Sequence, residues 1–178
     1  MQRLWDLLRR WPFAALALLT ALQTVGTLST RALWFSDEVR YADAYAGLLR
    51  GKWLVLYFYP KNDTPGCTEE ACSFRDDMAQ LSRLGAQVVG VSIDSAASNA
   101  DFADKYHLPF QLLADKDGAV AKRYGAYADW TVARFARRYT FLIDAQGKIV
   151  KTYLKVDTSK HSAEIIADLK QLSSSSGK

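Results

Sequence analysis

Cysteine and histidine are scarce in this chain. Among 178 residues there are two of each, Cys67 and Cys72, His107 and His161. A structural zinc site takes four Cys or His ligands, and the two histidines stand in unrelated contexts, so no metal site is expected. A small extracellular scaffold held by disulfides would carry more cysteines. No excess of positive charge runs through the body either. Residues 1–31 hold Arg3, Arg9, Arg10 and Arg31 against Asp6, and the rest holds 19 basic and 18 acidic residues, which leaves a net of +1 out of the total +4. A near-neutral body excludes the broad basic footprint of a nucleic-acid binder. No internal repeat is visible, and nothing in the chain calls for a cofactor. With 49% hydrophobic and 24% charged residues, the composition is that of a folded domain of ordinary size.

Charge is also missing from Trp11 to Thr30. Twenty helical residues span roughly 30 Å, the thickness of a bilayer's hydrocarbon core. Arg3, Arg9 and Arg10 precede the run, as they would before an export signal or at the cytoplasmic flank of an anchor. Three readings stand: a signal anchor at the membrane, a cleaved export signal without a clean A-x-A site, and a plain extension on a cytoplasmic protein. If the segment spans, the positive-inside rule places the following domain on the periplasmic side. Residues 1–31 are accordingly set apart from a domain at 32–172 and a polar tail at 173–178.

The remainder alternates. After a helix over Asp37–Leu49, Trp53-Leu-Val-Leu-Tyr-Phe-Tyr59 is an unbroken apolar run, as in a strand buried on both faces. The turn Asp63-Thr-Pro-Gly66 leads into a helix over Cys67–Leu84, with Ala71, Phe74, Met78 and Leu81 three or four apart. Gln87–Ile93 reads as a strand, Ser95–His107 as a helix, Leu112–Ala114 as a strand and Ala119–Tyr124 as a helix. Tyr139–Ile143 and Ile149–Val156 form a hairpin around Ala145-Gln-Gly147, and Ser162–Leu172 closes the chain as a helix. Trp130–Arg137, aromatic and basic, is left as a surface loop. The order β-α-β-α-β-α-β-β-α predicts an α/β domain with a mixed central sheet flanked by helices.

Cys67 follows a turn at the end of a buried strand and opens a helix. Helix N-termini present free N–H groups and a positive dipole end, which favour a nucleophilic thiolate. The neighbours Thr64, Gly66, Thr68, Glu69 and Glu70 are not those of an inert core cysteine. Cys72 stands five residues on. In a regular helix that is about 140° around the axis and about 7.5 Å along it. Disulfides rarely tolerate Cα separations beyond about 7 Å, so the pair bridges only if the first turns unwind. Thr64 could serve the turn alone, and Pro60 could merely end the strand. Glu70 could assist the site, but reads more readily as a solvated helix charge. Arg137 and Arg138 fall on opposite faces of a strand, and their spacing does not say which faces inward.

The stretch Leu56-Tyr-Phe-Tyr-Pro60-Lys-Asn-Asp-Thr64-Pro-Gly-Cys67-Thr-Glu-Glu-Ala-Cys72 resembles the bacterioferritin-comigratory, or Q, branch of the peroxiredoxins. The P-x-x-x-T-x-x-C pattern is complete and a second cysteine stands at the branch's offset. Arg138-Tyr-Thr-Phe-Leu-Ile-Asp-Ala-Gln-Gly-Lys-Ile149 is similar to the family's later strand and turn. The likeness runs from about Lys52 to Leu172. The family's early G-x-x-A-P-x-F segment has no counterpart between Arg31 and Lys52.

The resemblance implies a thioredoxin-like fold and a monomer that reduces hydrogen peroxide and organic hydroperoxides. It implies that Cys67 attacks the peroxide and Cys72 resolves the sulfenic acid to a disulfide. Thr64 would bond the thiolate and the peroxide, Pro60 would cover the pocket, and Arg138 would stabilise the developing charge. A thioredoxin-like dithiol would restore the thiols. Two other functions fit parts of the pattern. A membrane-tethered thiol–disulfide oxidoreductase needs C-x-x-C where this chain has C-x4-C. A redox sensor would use the Cys67–Cys72 switch without turnover.

Overall fold

The computed structural model describes residues 51–130 and 133–175. The predicted segment at 1–31, its apolar run, the helix at Asp37–Leu49 and the last three residues of the tail lie outside them.

Strand β1 (Trp53–Phe58) is the centre of the molecule. It pairs in parallel with β2 (Ala86–Ser92), which pairs in parallel with β3 (Gln111–Ala114). On its other side β1 pairs antiparallel with β6 (Tyr139–Ile143), and β6 with β7 (Ile149–Tyr153). The sheet order is β3-β2-β1-β6-β7, mixed as expected. Because side chains alternate across a strand, β1 serves two cores. Val55, Tyr57 and Tyr59 pack with Cys67, Ala71, Phe74 and Leu81 of helix α1 (Pro65–Arg83), with Phe102 of α2 (Ala96–Tyr106), and with Ile165 and Leu169 of α4 (His161–Ser175). Leu54, Leu56 and Phe58 pack on the other face, against Val120 and Ala121 of α3 (Ala119–Arg123) and Phe141 of β6. Each fully buried ring or leucine of this kind contributes roughly 1.5–3 kcal/mol of hydrophobic free energy.

Three elements depart from the sequence reading. The stretch left as a loop at Trp130–Arg137 is part of a hairpin, β4 (Tyr127–Trp130) paired antiparallel with β5 (Ala133–Ala136). Its alternation is visible only once Ala126, Ala128 and Ala136 are seen to be buried under it, small residues that carry little hydrophobic signal. The closing helix starts at His161 and continues to Ser175, so Ser173 to Ser175 belong to it. Strand β7 stops at Tyr153, three residues short of Val156. Among the described residues no helix is long and apolar enough to cross a membrane.

Candidate active site

The site lies at the carboxyl end of β1, where α1 begins. The loop between them is held by a buried polar network. Asn62 donates from Nδ2 to Ser98 Oγ at 2.8 Å and to Asn99 Oδ1 at 2.8 Å, and from its backbone N–H to Asp94 Oδ2 at 2.9 Å. The Tyr59 hydroxyl donates to Asn62 Oδ1 at 2.9 Å. Asn62, Asn99 and Tyr59 thus tie the loop to β2 and α2. Sequence reading did not single them out, since an asparagine in a turn carries no signal of burial.

Thr64 is the N-cap residue of α1, with extended φ −84° and ψ 146°, and Pro65 takes the first helical position, where its missing N–H costs nothing. The Thr64 hydroxyl donates to Lys61 O at 3.0 Å. Its carbonyl accepts from Thr68 N at 2.9 Å. Pro60 is half-buried just after the strand. Cys67 sits in the first turn and is 1% exposed, and Cys72 is half-buried on the same unbroken helix. Both cysteines are free.

Arg138 closes the site from the other side. Since β6 runs antiparallel to β1 and Tyr139 pairs with Phe58, the residue before β6 arrives at the end of β1 and beside the start of α1. Its Nη2 donates to Cys67 Sγ at 3.2 Å and its Nη1 to Glu70 Oε2. Gly66 makes room: a Cβ there would lie 3.3 Å from Arg138 Nη2. Arg137 faces the other way, with its Nη1 3.3 Å from the Tyr139 hydroxyl. Of the residues picked from the sequence, the fold brings Cys67 and Arg138 into contact. It turns the Thr64 hydroxyl to the loop and leaves Cys72 farther along the helix.

Glu70 corrects the sequence reading. It is fully buried, not a solvated helix charge. One carboxylate oxygen is on Arg138 and the other, Oε1, has no hydrogen-bond partner. Burial pushes the carboxyl up to about 7, with Arg138 holding it back. Burial works against the charged Arg138 as well, but Glu70 and then Cys67 outweigh it and the guanidinium is held above its ordinary value.

His161 is a second correction. It stands in the first turn of α4, 1% exposed, with Nε2 2.8 Å from Thr140 Oγ1 and 3.9 Å from Glu70 Oε1. Burial, and secondarily Arg138, pushes it down to about 4, so the ring is neutral near pH 7. His161 was not legible as part of the site, because its contact with Glu70 joins α4 to α1 across more than ninety positions of chain. Among the described residues no cluster of His, Cys, Asp and Glu fits a metal ion.

The model of the AhpC/TSA family matches residues 36–152, starting upstream of the Lys52 boundary read from the sequence and ending before Leu172. A Coxiella burnetii protein bearing the peroxiredoxin bcp name is 48% identical over 127 residues, covering 68% of this chain and 83% of its own. A crystal structure of Xylella fastidiosa PrxQ, in a cysteine-to-serine mutant form, superposes with a TM-score of 0.68 at 33% identity, over 71% of this chain and 81% of that one. The bacterioferritin comigratory protein of Xanthomonas campestris, studied for alkyl peroxide reduction, gives 0.65 at 33% identity over 69% and 81%. With a complete P-x-x-x-T-x-x-C loop on a thioredoxin-like sheet, this chain belongs to the AhpC/TSA family of peroxiredoxins, among relatives named Bcp and peroxiredoxin Q.

Proposed function

We propose that the protein is a thiol peroxidase in which Cys67 attacks the peroxide and Cys72 resolves the product. The observation that carries this is the guanidinium of Arg138 on Cys67 Sγ at 3.2 Å. A cation fixed on the sulfur faces the point where negative charge builds up on the leaving oxygen. Cys67 as thiolate takes the nearer peroxide oxygen: an S–O bond forms, the O–O bond breaks, and the departing hydroxide or alkoxide takes up a proton. The Cys72 thiolate then attacks the sulfenic sulfur, an S–S bond forms, the S–O bond breaks, and the departing hydroxide takes up a proton to leave as water. The two electrons come from the two thiols. A thioredoxin-like dithiol returns them by exchange.

Pro60 and Thr64 line the approach to the sulfur in this reading, the hydroxyl of Thr64 turning from Lys61 O to the bound peroxide. Glu70 anchors Arg138. Alkyl peroxide reduction by the Xanthomonas campestris relative supports organic hydroperoxides as substrates beside hydrogen peroxide. The charge-free run at 11–30 supports attachment to a membrane, and a reporter fused after Lys178 tells on which side the domain lies.

The test is thiol titration. Reduced full-length protein mixed with one equivalent of hydrogen peroxide loses both thiols rapidly, and Cys67→Ser consumes no peroxide. Thiol loss no faster than that of free cysteine, or peroxide consumption that persists in Cys67→Ser, overturns the proposal.

A further inference from the structure

We propose that His161 is a positioning residue for the peroxide reaction: its Nε2–H, donated to Thr140 Oγ1 with Glu70 Oε1 3.9 Å away, keeps the Glu70 carboxylate turned onto Arg138 by its dipole and so holds the guanidinium on Cys67. The inference rests on Cys67 being the attacking sulfur.

Three elements meet here. Glu70 comes from α1, His161 from α4, Thr140 from β6, and Arg138 from the bend just before β6. Glu70 Oε1 is fully buried and has no hydrogen bond. A buried carboxylate oxygen without a donor is costly, and His161 Nε2 lies 3.9 Å from it. That nitrogen faces two oxygens, a hydroxyl that can accept and a carboxylate that must. A proton on Nε2 bonds the hydroxyl and acts on the carboxylate 3.9 Å away through its charge alone, whereas a lone pair there would oppose the Glu70 charge. The geometry therefore assigns the proton to Nε2. Nδ1 is left without a hydrogen bond, 3.9 Å from Glu164 Oε2.

The other charged and titratable groups around Glu70 are Arg138 from the bend before β6, Cys67 on its own helix and Tyr57 from β1. Tyr57 is held neutral, chiefly by burial. His161 is neutral as well, so it acts on Glu70 as an oriented N–H dipole and not as a second cation. Without it, the Glu70 charge has Arg138 alone. The carboxyl then protonates at a higher pH, and a protonated Glu70 no longer anchors the guanidinium by charge.

The experiment is the pH profile of the rate at which peroxide removes the Cys67 thiol. In His161→Phe, which keeps a ring of similar size without the N–H, the acid limb moves up by about one pH unit. In His161→Gln, whose side-chain N–H can still reach between Thr140 and Glu70, the limb returns toward its original position. On a Glu70→Gln background, His161→Phe moves nothing. A rate lowered equally at every pH, or the same displacement on the Glu70→Gln background, overturns the proposal. Nitrogen-15 NMR of the unmutated protein gives an answer that needs no variant to fold: an Nε2–H ring whose shifts inflect as Glu70 titrates is expected, and an Nδ1–H ring throughout refutes the assignment. Peroxide consumption that persists in Cys67→Ser would sink the parent reading instead, and the NMR tautomer would still be readable.

Discussion

Arg138 Nη2 donates to Cys67 Sγ at 3.2 Å, across 71 positions of chain. The other arm of the same guanidinium is on Glu70. The planar fork of arginine is what allows one side chain to hold two acceptors at fixed spacing, and lysine cannot reproduce it. Arg138→Lys is therefore expected to slow peroxide-driven loss of the Cys67 thiol by about 10²-fold, the scale of losing one preorganised donor to a developing anion. Stopped-flow thiol loss reads it. A drop of less than about threefold would separate Arg138 from the reaction.

Glu70 and His161 oppose each other in the pH dependence of stability. His161 has its folded value near 4 against an ordinary 6.5. Its contribution is full above pH 6.5 and is lost as the pH falls through 4. Glu70 has its folded value near 7 against an ordinary 4.5. Its contribution is full below pH 4.5 and is lost as the pH rises through 7. Between pH 4.5 and 6.5 the two slopes cancel. In Glu70→Gln the urea midpoint is expected to rise with pH across this window, and in His161→Phe to fall across it. A flat midpoint in both variants would show that neither group carries the shift.

The succession of β1, turn and α1 and the position of Cys67 at the start of that helix were legible because they rest on strong local signals. Those are a seven-residue apolar run, a Thr-Pro-Gly turn and an apolar helix period that begins at the turn. The choice between Arg137 and Arg138 was not, because alternation gives opposite faces without saying which is covered. Pairing of Tyr139 with Phe58 and the packing of α1 and α4 on the far side decide it. Glu70 was given the wrong preference and His161 was missed for a related reason. A charged residue in a helix reads as exposed unless its partner is known, and here the partners come from β6 and from the last helix. The β4–β5 hairpin was missed because alanines fill its buried side.

The α1–α4 seam sets how readily the start of α1 unwinds, which the Cys67–Cys72 bridge requires in the proposed cycle. Ser162 Oγ lies 2.6 Å from Ser73 Oγ and donates to Asp77 Oδ2 at 2.7 Å, clamping α1 just past Cys72. Thr158 adds a hydrogen bond to Glu69 in the turn before. Ser162→Ala removes the middle of the clamp, a loss of about 1 kcal/mol. Disulfide formation is expected to quicken by roughly fivefold, and less Cys67 to reach the sulfinic acid at high peroxide. Mass spectrometry after peroxide pulses counts both species. Unchanged disulfide formation would place the unwinding outside the reach of this clamp.

Gly66 separates helix stability from the reaction. Its φ is not in the left-handed region, so alanine fits the backbone there. As the second residue of α1, alanine is also the better helix former, by up to about 1 kcal/mol. Its Cβ, however, would sit 3.3 Å from Arg138 Nη2 and 3.9 Å from Cζ. That is tighter than van der Waals contact, and the guanidinium would have to move a few tenths of an ångström away from Cys67 Sγ. Gly66→Ala is therefore expected to unfold at the same or higher urea concentration while losing the Cys67 thiol several-fold more slowly, since small displacements of a positioned group are costly to rate. Parallel urea melts and stopped-flow runs on one preparation give both numbers. An unchanged rate would mean that Arg138 accommodates the methyl without leaving the sulfur, and that the close approach at Gly66 has no part in holding it there.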